Sequence, residues 1–166
     1  ARTTPDKTAM VWCDDKGKEA VFTFGQMKYF SDKAANFFKS SGIRKGDPVM
    51  LILKRHFTFW FCTLGLNKIG AITIPATHLL TTKDIIYRNN AAGIKMIVCV
   101  PDPLVMQHIE ESEIQSPTLE HKVLIGQDRE GWMDFSKGMD ESSGELTRPD
   151  PDEEVRNDDT MLLYFT

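Results

Sequence analysis

Four histidines are the side chains best suited to acid-base or metal chemistry near neutral pH. They are isolated from one another along the chain, at His56, His78, His108 and His121. His56 and His121 flank predicted strands and His108 lies in a predicted helix, positions typical of ordinary surface or core histidines. His78 follows a predicted strand at the end where sheets usually bind ligands, so it alone has a candidate binding role. No G-x-S-x-G motif occurs, and Ser-His-Asp hydrolase chemistry is therefore not predicted.

Glycine-rich phosphate loops of the standard kinds are missing from the sequence. None of the eleven glycines forms a G-x-G-x-x-G motif after a predicted strand. The Gly17-Lys18 pair lies in a predicted hairpin turn and lacks the Ser/Thr and the upstream glycine of a P-loop. Residue types and spacing alone therefore identify no catalytic residue and no complete nucleotide site.

The charged clusters are typical of solvated surface and the aromatic cluster is typical of core, and neither indicates a catalytic or binding site. Acidic residues concentrate in the second half, at 110–113 and 152–154, where adjacent side chains do not face each other across a substrate. Basic residues prevail up to residue 55 but are dispersed among apolar ones, so we predict no nucleic-acid partner. The aromatic group at 57–61 is typical of a core helix.

The cysteines and apolar runs point to a cellular setting. The three cysteines, Cys13, Cys62 and Cys99, are far apart in apolar surroundings, which predicts buried reduced thiols, no disulfide and no metal site. All apolar runs are shorter than the ~20 residues that cross a bilayer, so we predict no transmembrane segment and a cytoplasmic location. Because the chain starts at Ala1 without Met and ends in an apolar run, we expect it to be a piece of a longer protein.

The elements that must position any site begin with a β-hairpin at residues 10–24, two apolar runs around a polar turn. Thr23 and Gln26 have the spacing of a capping box, and apolar residues then recur at helical spacing until Gly42. We therefore predict an amphipathic helix that lies on a sheet.

From residue 49 onward, unbroken apolar runs alternate with helical stretches. The predicted strands are Val49–Leu53, Ala71–Ile74, Met96–Val100 and Val123–Ile125. The predicted helices are a deeply buried one at 57–69, one at 82–92 that is capped by Thr81 and Asp84 and ends at Gly93, and a third beyond Pro103. Apolar runs without alternation indicate strands covered on both faces, and one helix between each pair is what a parallel crossover requires. The predicted class is α/β: a hairpin, then a mainly parallel βαβ sheet over 25–125 with helices on both faces.

The last forty residues are predicted to be less regular. Residues 126–159 are acidic and poor in apolar groups, and we interpret them as a surface excursion pinned by Trp132, Met133 and Phe135. Residues 160–166 are predicted to return to the sheet as a buried strand.

Several segments resemble the AMP-forming acyl-CoA synthetases of the adenylate-forming superfamily. The matching segments are 23–27, 34–36, 42–49, 69–71, 75–77, 82–88, 131–135 and 158–166. Residues 82–88 (TKDIIYR) and 131–135 (GWMDF) are similar to the medium-chain branch, close to acetyl-CoA synthetases. The resemblance implies that residues 1–166 are a truncated portion of the large N-terminal domain of such an enzyme.

The resemblance also implies an activity and its ligands. Such enzymes use ATP and Mg²⁺ to convert a carboxylic acid, here a short- or medium-chain fatty acid, into an acyl-adenylate, and then transfer the acyl group to CoA. Thr166 matches the first residue of the family's phosphate loop, T-S-G-T-[TS]-G-x-P-K, whereas the catalytic residues fall outside this chain. Leu79 and neighbouring His78 are implied beside CoA, although some members have glutamine at the position of Leu79. Arg88 is implied either as a contact to a CoA phosphate or as part of a structural ion pair.

Two other functions remain open from the sequence. The chain could belong to an adenylation domain that passes the acyl group to another acceptor, although Tyr87-Arg88 favours a CoA ligase. It could also be a non-catalytic binding module with a flavodoxin-like sheet. Continuation of the reading frame into T-S-G-x-x-G after Thr166 would favour the ligase.

Overall fold

The N-terminal hairpin pairs β1 (Thr8–Cys13) with β2 (Glu19–Thr23) in the computed structural model, which describes residues 1–147, 149–151 and 153–166. Asp14 closes the turn, because its carboxylate accepts hydrogen bonds from the backbone N–H groups of Lys16 and Lys18. The predicted hairpin is thus confirmed.

Helix α1 (Phe24–Ser40) follows the hairpin without a linker. The Thr23 side chain accepts from the Gln26 N–H, and the Gln26 side chain accepts from the Thr23 N–H, so the predicted capping box is present. Gly42 adopts a φ of 89° just after the helix, a conformation that glycine reaches without steric cost.

A five-stranded parallel sheet forms the centre of the fold. Its strands are β3 (Pro48–Ile52), β4 (Ile72–Pro75), β5 (Met96–Cys99), β6 (His121–Leu124) and β7 (Met133–Asp134). Their order across the sheet is β4-β3-β5-β6-β7, and each neighbouring pair is parallel. The first four strands confirm the predicted α/β class.

Helices cover both faces of this sheet. They are α2 (Thr58–Lys68), α3 (Thr82–Ala92), α4 (Pro103–Ser112) and α5 (Phe135–Glu141), with a short 3-10 turn at Glu113–Gln115. Alternate residues of a strand point to opposite faces, so Leu51 packs with α1 and α2 while Ile52 packs with α3 and α4. Both faces are therefore apolar, as the unbroken runs predicted.

The structure differs from the sequence prediction in the last forty residues. The acidic segment contains β7 and α5, which the sequence analysis did not predict. Residues 161–165 do not form the predicted buried strand: Leu162 makes an isolated parallel bridge to Thr73 at the outer edge of β4. Met161 and Tyr164 are exposed, because an edge position leaves part of the segment uncovered.

Three single residues also depart from the prediction. Cys13 is exposed on the hairpin, whereas Cys62 and Cys99 are buried as expected. Trp60 is 51% exposed, so α2 is buried on most of its sides but not all around. The sequence predicts Ile114 in the third helix, but α4 ends at Ser112, and Ile114 lies exposed in the 3-10 turn that follows.

Candidate functional site

All strands of the central sheet are parallel, so the loops that follow them meet at one edge. The loops after β3, β4 and β5 cover residues 53–57, 76–81 and 100–102. In open α/β sheets, this carboxyl-end edge is where ligands bind. The edge is therefore the candidate functional site, and the loop after β4 carries two of the predicted residues.

Leu79 lies at the tip of the loop after β4 and is 75% exposed. The Thr77 hydroxyl accepts a hydrogen bond from the Leu79 N–H at 3.3 Å, which closes a small local turn. His78 is also exposed. The Leu79 side chain is therefore not packed in the core.

The residue after the tip anchors this loop. Leu80 is only 6% exposed, and its carbonyl is 2.9 Å from His108 Nδ1 on α4. A carbonyl oxygen can only accept, so Nδ1 is the ring nitrogen that carries the proton. Thr81 and Asp84 then form the predicted capping box of α3. The apolar tip is therefore presented on a fixed base.

Arg88 lies on α3, one turn beyond Asp84 of that capping box. Its guanidinium donates to the backbone carbonyl of Asp84 at 3.2 Å and lies 4.0 Å from the Asp84 carboxylate. It also lies over the Phe165 ring, 5.2 Å from the ring centroid. The Thr81 N–H and hydroxyl, followed by the Arg88 charge, hold the pKa of Asp84 below its usual value. Arg88 therefore has structural partners already.

Thr166 is exposed and follows Phe165, so it lies near α3. The Phe165 ring also meets the Tyr87 ring edge-on, with centroids 5.9 Å apart. The structure thus brings Arg88 next to the segment that ends at Thr166. No hydrogen bond or ion pair between described residues joins Arg88 to His78 or Leu79.

One contact that was not predicted from the sequence joins the ends of β3 and β5, which are neighbours in the sheet. There the Lys54 ammonium pairs with the Asp102 carboxylate at 2.7 Å. Helix α2 follows β3 on one face and α4 follows β5 on the other, so this is the switch point of the sheet. Lys54 has a φ of 52°, the one positive value at a non-glycine position among the described residues. Lysine rarely adopts a positive φ, so nothing in the residue type predicted this conformation.

Asp102 also caps α4, since its carboxylate accepts from the N–H groups of Leu104 and Val105. The hydrogen bond from Lys54 and then the Val105 N–H lower the pKa of the Asp102 carboxyl. Asp102 is therefore ionised at neutral pH and ties two loops of the edge together.

A cavity of about 360 Å³ lies beside this ion pair, between the hairpin and the loop after β3. The Trp12 indole N–H donates to the Arg55 carbonyl, and His56 stacks against Phe57 with ring centroids 4.4 Å apart. Burial, then the charge of Lys18, lowers the pKa of His56, so its ring is neutral at pH 7. This arrangement fixes the hairpin on the sheet.

The two buried cysteines, Cys62 and Cys99, supply no nucleophile at this edge of the sheet. Burial raises the pKa of the Cys99 thiol to about 12, with the charges of Asp102 and Glu110 adding to the effect, and burial alone raises the pKa of Cys62. Neither forms a nucleophilic thiolate at neutral pH. Within the described ranges, no three His, Cys, Asp or Glu side chains gather as a metal site. In the same residues, no helix has the length and apolar character that a membrane span needs.

Comparison with known proteins defines the class. The family model described as "AMP-binding enzyme" matches residues 1–166, and the chain belongs to this family. Human mitochondrial acyl-coenzyme A synthetase ACSM1 is 33% identical over 160 residues, covering 95% of this chain and 27% of that protein. Rat mitochondrial acyl-coenzyme A synthetase ACSM5 is 31% identical over 164 residues, covering 98% and 27%. The predicted resemblance to acyl-CoA synthetases is confirmed, and the chain spans about a quarter of these relatives.

Solved structures share the fold. An acyl-CoA synthetase from Brucella canis superposes with a TM-score of 0.86 at 23% identity, covering 99% of this chain and 29% of that one. A fatty acyl CoA synthetase from Mycobacterium tuberculosis superposes with a TM-score of 0.83 at 19% identity, covering 99% and 30%. The hairpin and the parallel sheet are thus shared with one part of the fold of these two solved structures.

Proposed function

We propose that the protein carrying this chain is an AMP-forming acid-CoA ligase. It uses ATP to convert a carboxylic acid, a short- or medium-chain fatty acid, into an acyl-adenylate, and it then transfers the acyl group to CoA. The observation that carries this proposal is the family match over the whole chain, together with relatives that are acyl-CoA synthetases by name.

The chemistry requires two half-reactions. A carboxylate is a poor acyl donor, so its oxygen first attacks the α-phosphate of ATP and pyrophosphate leaves. The CoA thiol then attacks the acyl carbon and AMP leaves. Mg²⁺ would stabilise the negative charge that spreads over the phosphates. The described residues of this chain do not gather a ligand set for it, so we derive no step through the metal.

Two parts of this chain would contact ligands. Thr166 is the proposed ATP contact, as the first residue of a phosphate loop. Leu79 and His78 are the proposed CoA contacts, because both are exposed at the carboxyl end of β4 on an anchored loop. Leu79 offers an apolar surface to CoA and no side-chain hydrogen bond. For Arg88 the sequence left open a CoA contact or a structural ion pair, and its partners on α3 and Phe165 favour the structural alternative.

The catalytic residues are proposed to lie outside residues 1–166, so this chain alone would be inactive. The cytoplasmic location also remains a proposal, and the named relatives are mitochondrial proteins.

The test is a two-stage assay of the protein that carries this chain. Acetate, butyrate, octanoate and benzoate are supplied singly, and ATP-pyrophosphate exchange is measured before CoA is added. We expect exchange that depends on one of the fatty acids, and a CoA thioester after CoA is added. Exchange without thioester would assign the acyl group to another acceptor. No exchange with any acid would refute the proposal.

A further inference from the structure

Backbone hydrogen bonds join the segment before Thr166 to the sheet through a single residue, Thr73, and Leu163 and Phe165 of the segment pack against the core. The Thr73 N–H donates to the Met161 carbonyl at 3.0 Å, and the Leu163 N–H donates to the Thr73 carbonyl at 3.1 Å. These two bonds make one isolated bridge and no continuous ladder. They leave the last residues before Thr166 without backbone pairing to β4 among the described residues.

The end of the segment is held by side chains of α3. Phe165 lies between the Tyr87 ring, at 5.9 Å, and the Arg88 guanidinium, at 5.2 Å. A guanidinium at this distance from a ring face is attracted by the negative charge of the π system. This aromatic and cationic cluster therefore supplies the hold that the missing backbone bonds would otherwise give.

The orientation of Arg88 is itself fixed. Its hydrogen bond to the Asp84 carbonyl connects it to the first turn of α3, where Asp84 is held by the Thr81 capping box. The Arg88 side chain is 20% exposed, whereas the Tyr87 residue is 65% exposed. Phe165 also packs against the edge of the core on the side of α3 and α4, so Phe165→Leu keeps an apolar side chain there, while Arg88→Ala removes only the partly exposed cation.

We propose that Arg88 is a positioning residue, which holds Phe165 against α3 and thereby sets the place of Thr166. The inference rests on the proposed function, in which Thr166 begins the ATP phosphate loop. Helix α3 starts directly after the exposed Leu79 loop, so it connects the proposed CoA contact with the proposed ATP contact. A displaced Phe165 would mainly weaken the half-reaction that uses ATP.

This role is distinct from a contact between Arg88 and a CoA phosphate. A CoA contact acts only when CoA is bound, so its loss raises KM for CoA and leaves adenylation intact. A positioning role acts on the protein without ligand. Its loss changes the dynamics of the segment first and ATP-dependent adenylation second.

The test compares Arg88→Ala, Arg88→Lys and Phe165→Leu in the protein that carries this chain. Lys83→Ala is the matched control, because Lys83 is an exposed cation on the same helix. Amide hydrogen exchange is measured at Thr73 and Leu163, whose N–H groups make the two bridge bonds. ATP-pyrophosphate exchange and the KM values for ATP and CoA are measured on the same samples.

We expect Arg88→Ala and Phe165→Leu to speed exchange at both amides by roughly three- to thirtyfold, which is the loss of one cation-π contact. Both should raise KM for ATP or slow adenylation, with KM for CoA and the melting temperature nearly unchanged. Arg88→Lys should lie between Arg88→Ala and wild type in both amide exchange and adenylation, because lysine keeps the charge but lacks the planar guanidinium. Lys83→Ala should match the wild type.

Unchanged amide exchange in Arg88→Ala would overturn the proposal, and a rise in KM for CoA alone would assign Arg88 to CoA. Amide exchange needs no ligand, so it also separates the two hypotheses. A wild-type protein without adenylation would refute the proposed function and the link to ATP, while the exchange rates would still show whether Arg88 holds the segment.

Discussion

Leu79 and Leu80 are adjacent leucines with opposite surroundings, one 75% and the other 6% exposed. The sequence could not predict which of the two leucines is exposed, because exposure depends on how the loop after β4 turns. Substitution of exposed Leu79 therefore tests a contact with a ligand, and substitution of buried Leu80 tests a contribution to folding.

On the proposed function, we predict that Leu79→Asp in the protein that carries this chain raises KM for CoA by roughly five- to tenfold, the loss expected for one apolar contact plus an unfavourable charge. Adenylation should stay near the wild-type rate, because the first half-reaction does not use CoA. The melting temperature should change by less than about 2 °C, as exposed substitutions usually change stability little. Separate assays of the two half-reactions check this.

The control is Leu80→Asp, which places a carboxylate in the core without a partner. It should lower the free energy of unfolding by about 3 kcal/mol or more, and weaken both half-reactions together. If Leu79→Asp behaved like Leu80→Asp, the loop would not be a CoA contact.

The ion pair of Lys54 and Asp102 predicts a pH effect. The pKa of Asp102 is lowered in the folded protein, so its stabilising contribution is present above its unfolded pKa of about 4 and is lost as pH falls through the lower folded value. Lys54→Met removes the largest cause of this shift. We expect Asp102 to titrate at a higher pH in the variant, and acid unfolding to begin at a higher pH.

An NMR titration of the Asp102 carboxyl carbon checks this prediction. Methionine bears the same backbone cost at the positive φ of residue 54, so strain cancels in the comparison. Lys45→Met removes a different ion pair, to Asp159, and should leave the Asp102 titration unchanged. A titration of Asp102 that is the same in Lys54→Met and wild type would contradict the assignment.

Among the elements, the contact between α1 and α2 is unusually close at Gly65. A Cβ atom added there would lie 2.8 Å from the Ala34 Cβ and 2.9 Å from the Ala35 backbone nitrogen. Nearby, the buried Asp32 carboxylate of α1 pairs with Lys68 of α2 at 2.7 Å. Small residues and a shared ion pair therefore fix how the two helices cross.

We predict that Gly65→Ala destabilises the protein, although alanine favours helix by about 1 kcal/mol. Overpacking of a close contact costs about 1–3 kcal/mol, so a net loss of up to about 2 kcal/mol is expected in chemical denaturation. Ala34→Gly alone should also be destabilising, because glycine disfavours helix by about 1 kcal/mol, but the double variant should lose less than the sum of the two single losses, since the clash between the two Cβ atoms is removed. A Gly65→Ala protein as stable as the wild type would show that the helices can separate without cost.

Elements with local signals were predictable, and elements that depend on distant partners were not. Helix α3 matches its predicted bounds, because Thr81, Asp84 and Gly93 mark its ends within the chain itself. Strand β7 has two residues, too few to show a period, and exists because Val123 and Leu124 of β6 pair with it. The bridge of Leu162 likewise depends on Thr73, almost ninety residues away, and so left no local pattern.

On the scale of the whole molecule, the candidate ligand contacts lie along one edge of the sheet and at one end of the chain. The exposed Leu79 loop and the Lys54–Asp102 pair share the carboxyl-end edge of the sheet because its strands are parallel, a topology that the sequence predicted through its alternating elements. The conformations that orient them, such as the positive φ of Lys54 and the anchoring of Leu80 by His108, arise from tertiary contacts and were not predictable.

The last prediction concerns residues 1–166 as an isolated polypeptide. Its proposed ATP contact is Thr166 alone, and adenylation needs several donors around the phosphates to stabilise the spreading charge. We therefore expect no ATP-pyrophosphate exchange above background with any carboxylate, whereas the longer protein should catalyse it. Far-UV circular dichroism and a cooperative melt of the same sample establish that the polypeptide is folded, so that a blank assay reports missing chemistry. Exchange by the folded polypeptide would mean that residues within 1–166 supply the phosphate donors, and would contradict the assignment of catalysis outside them.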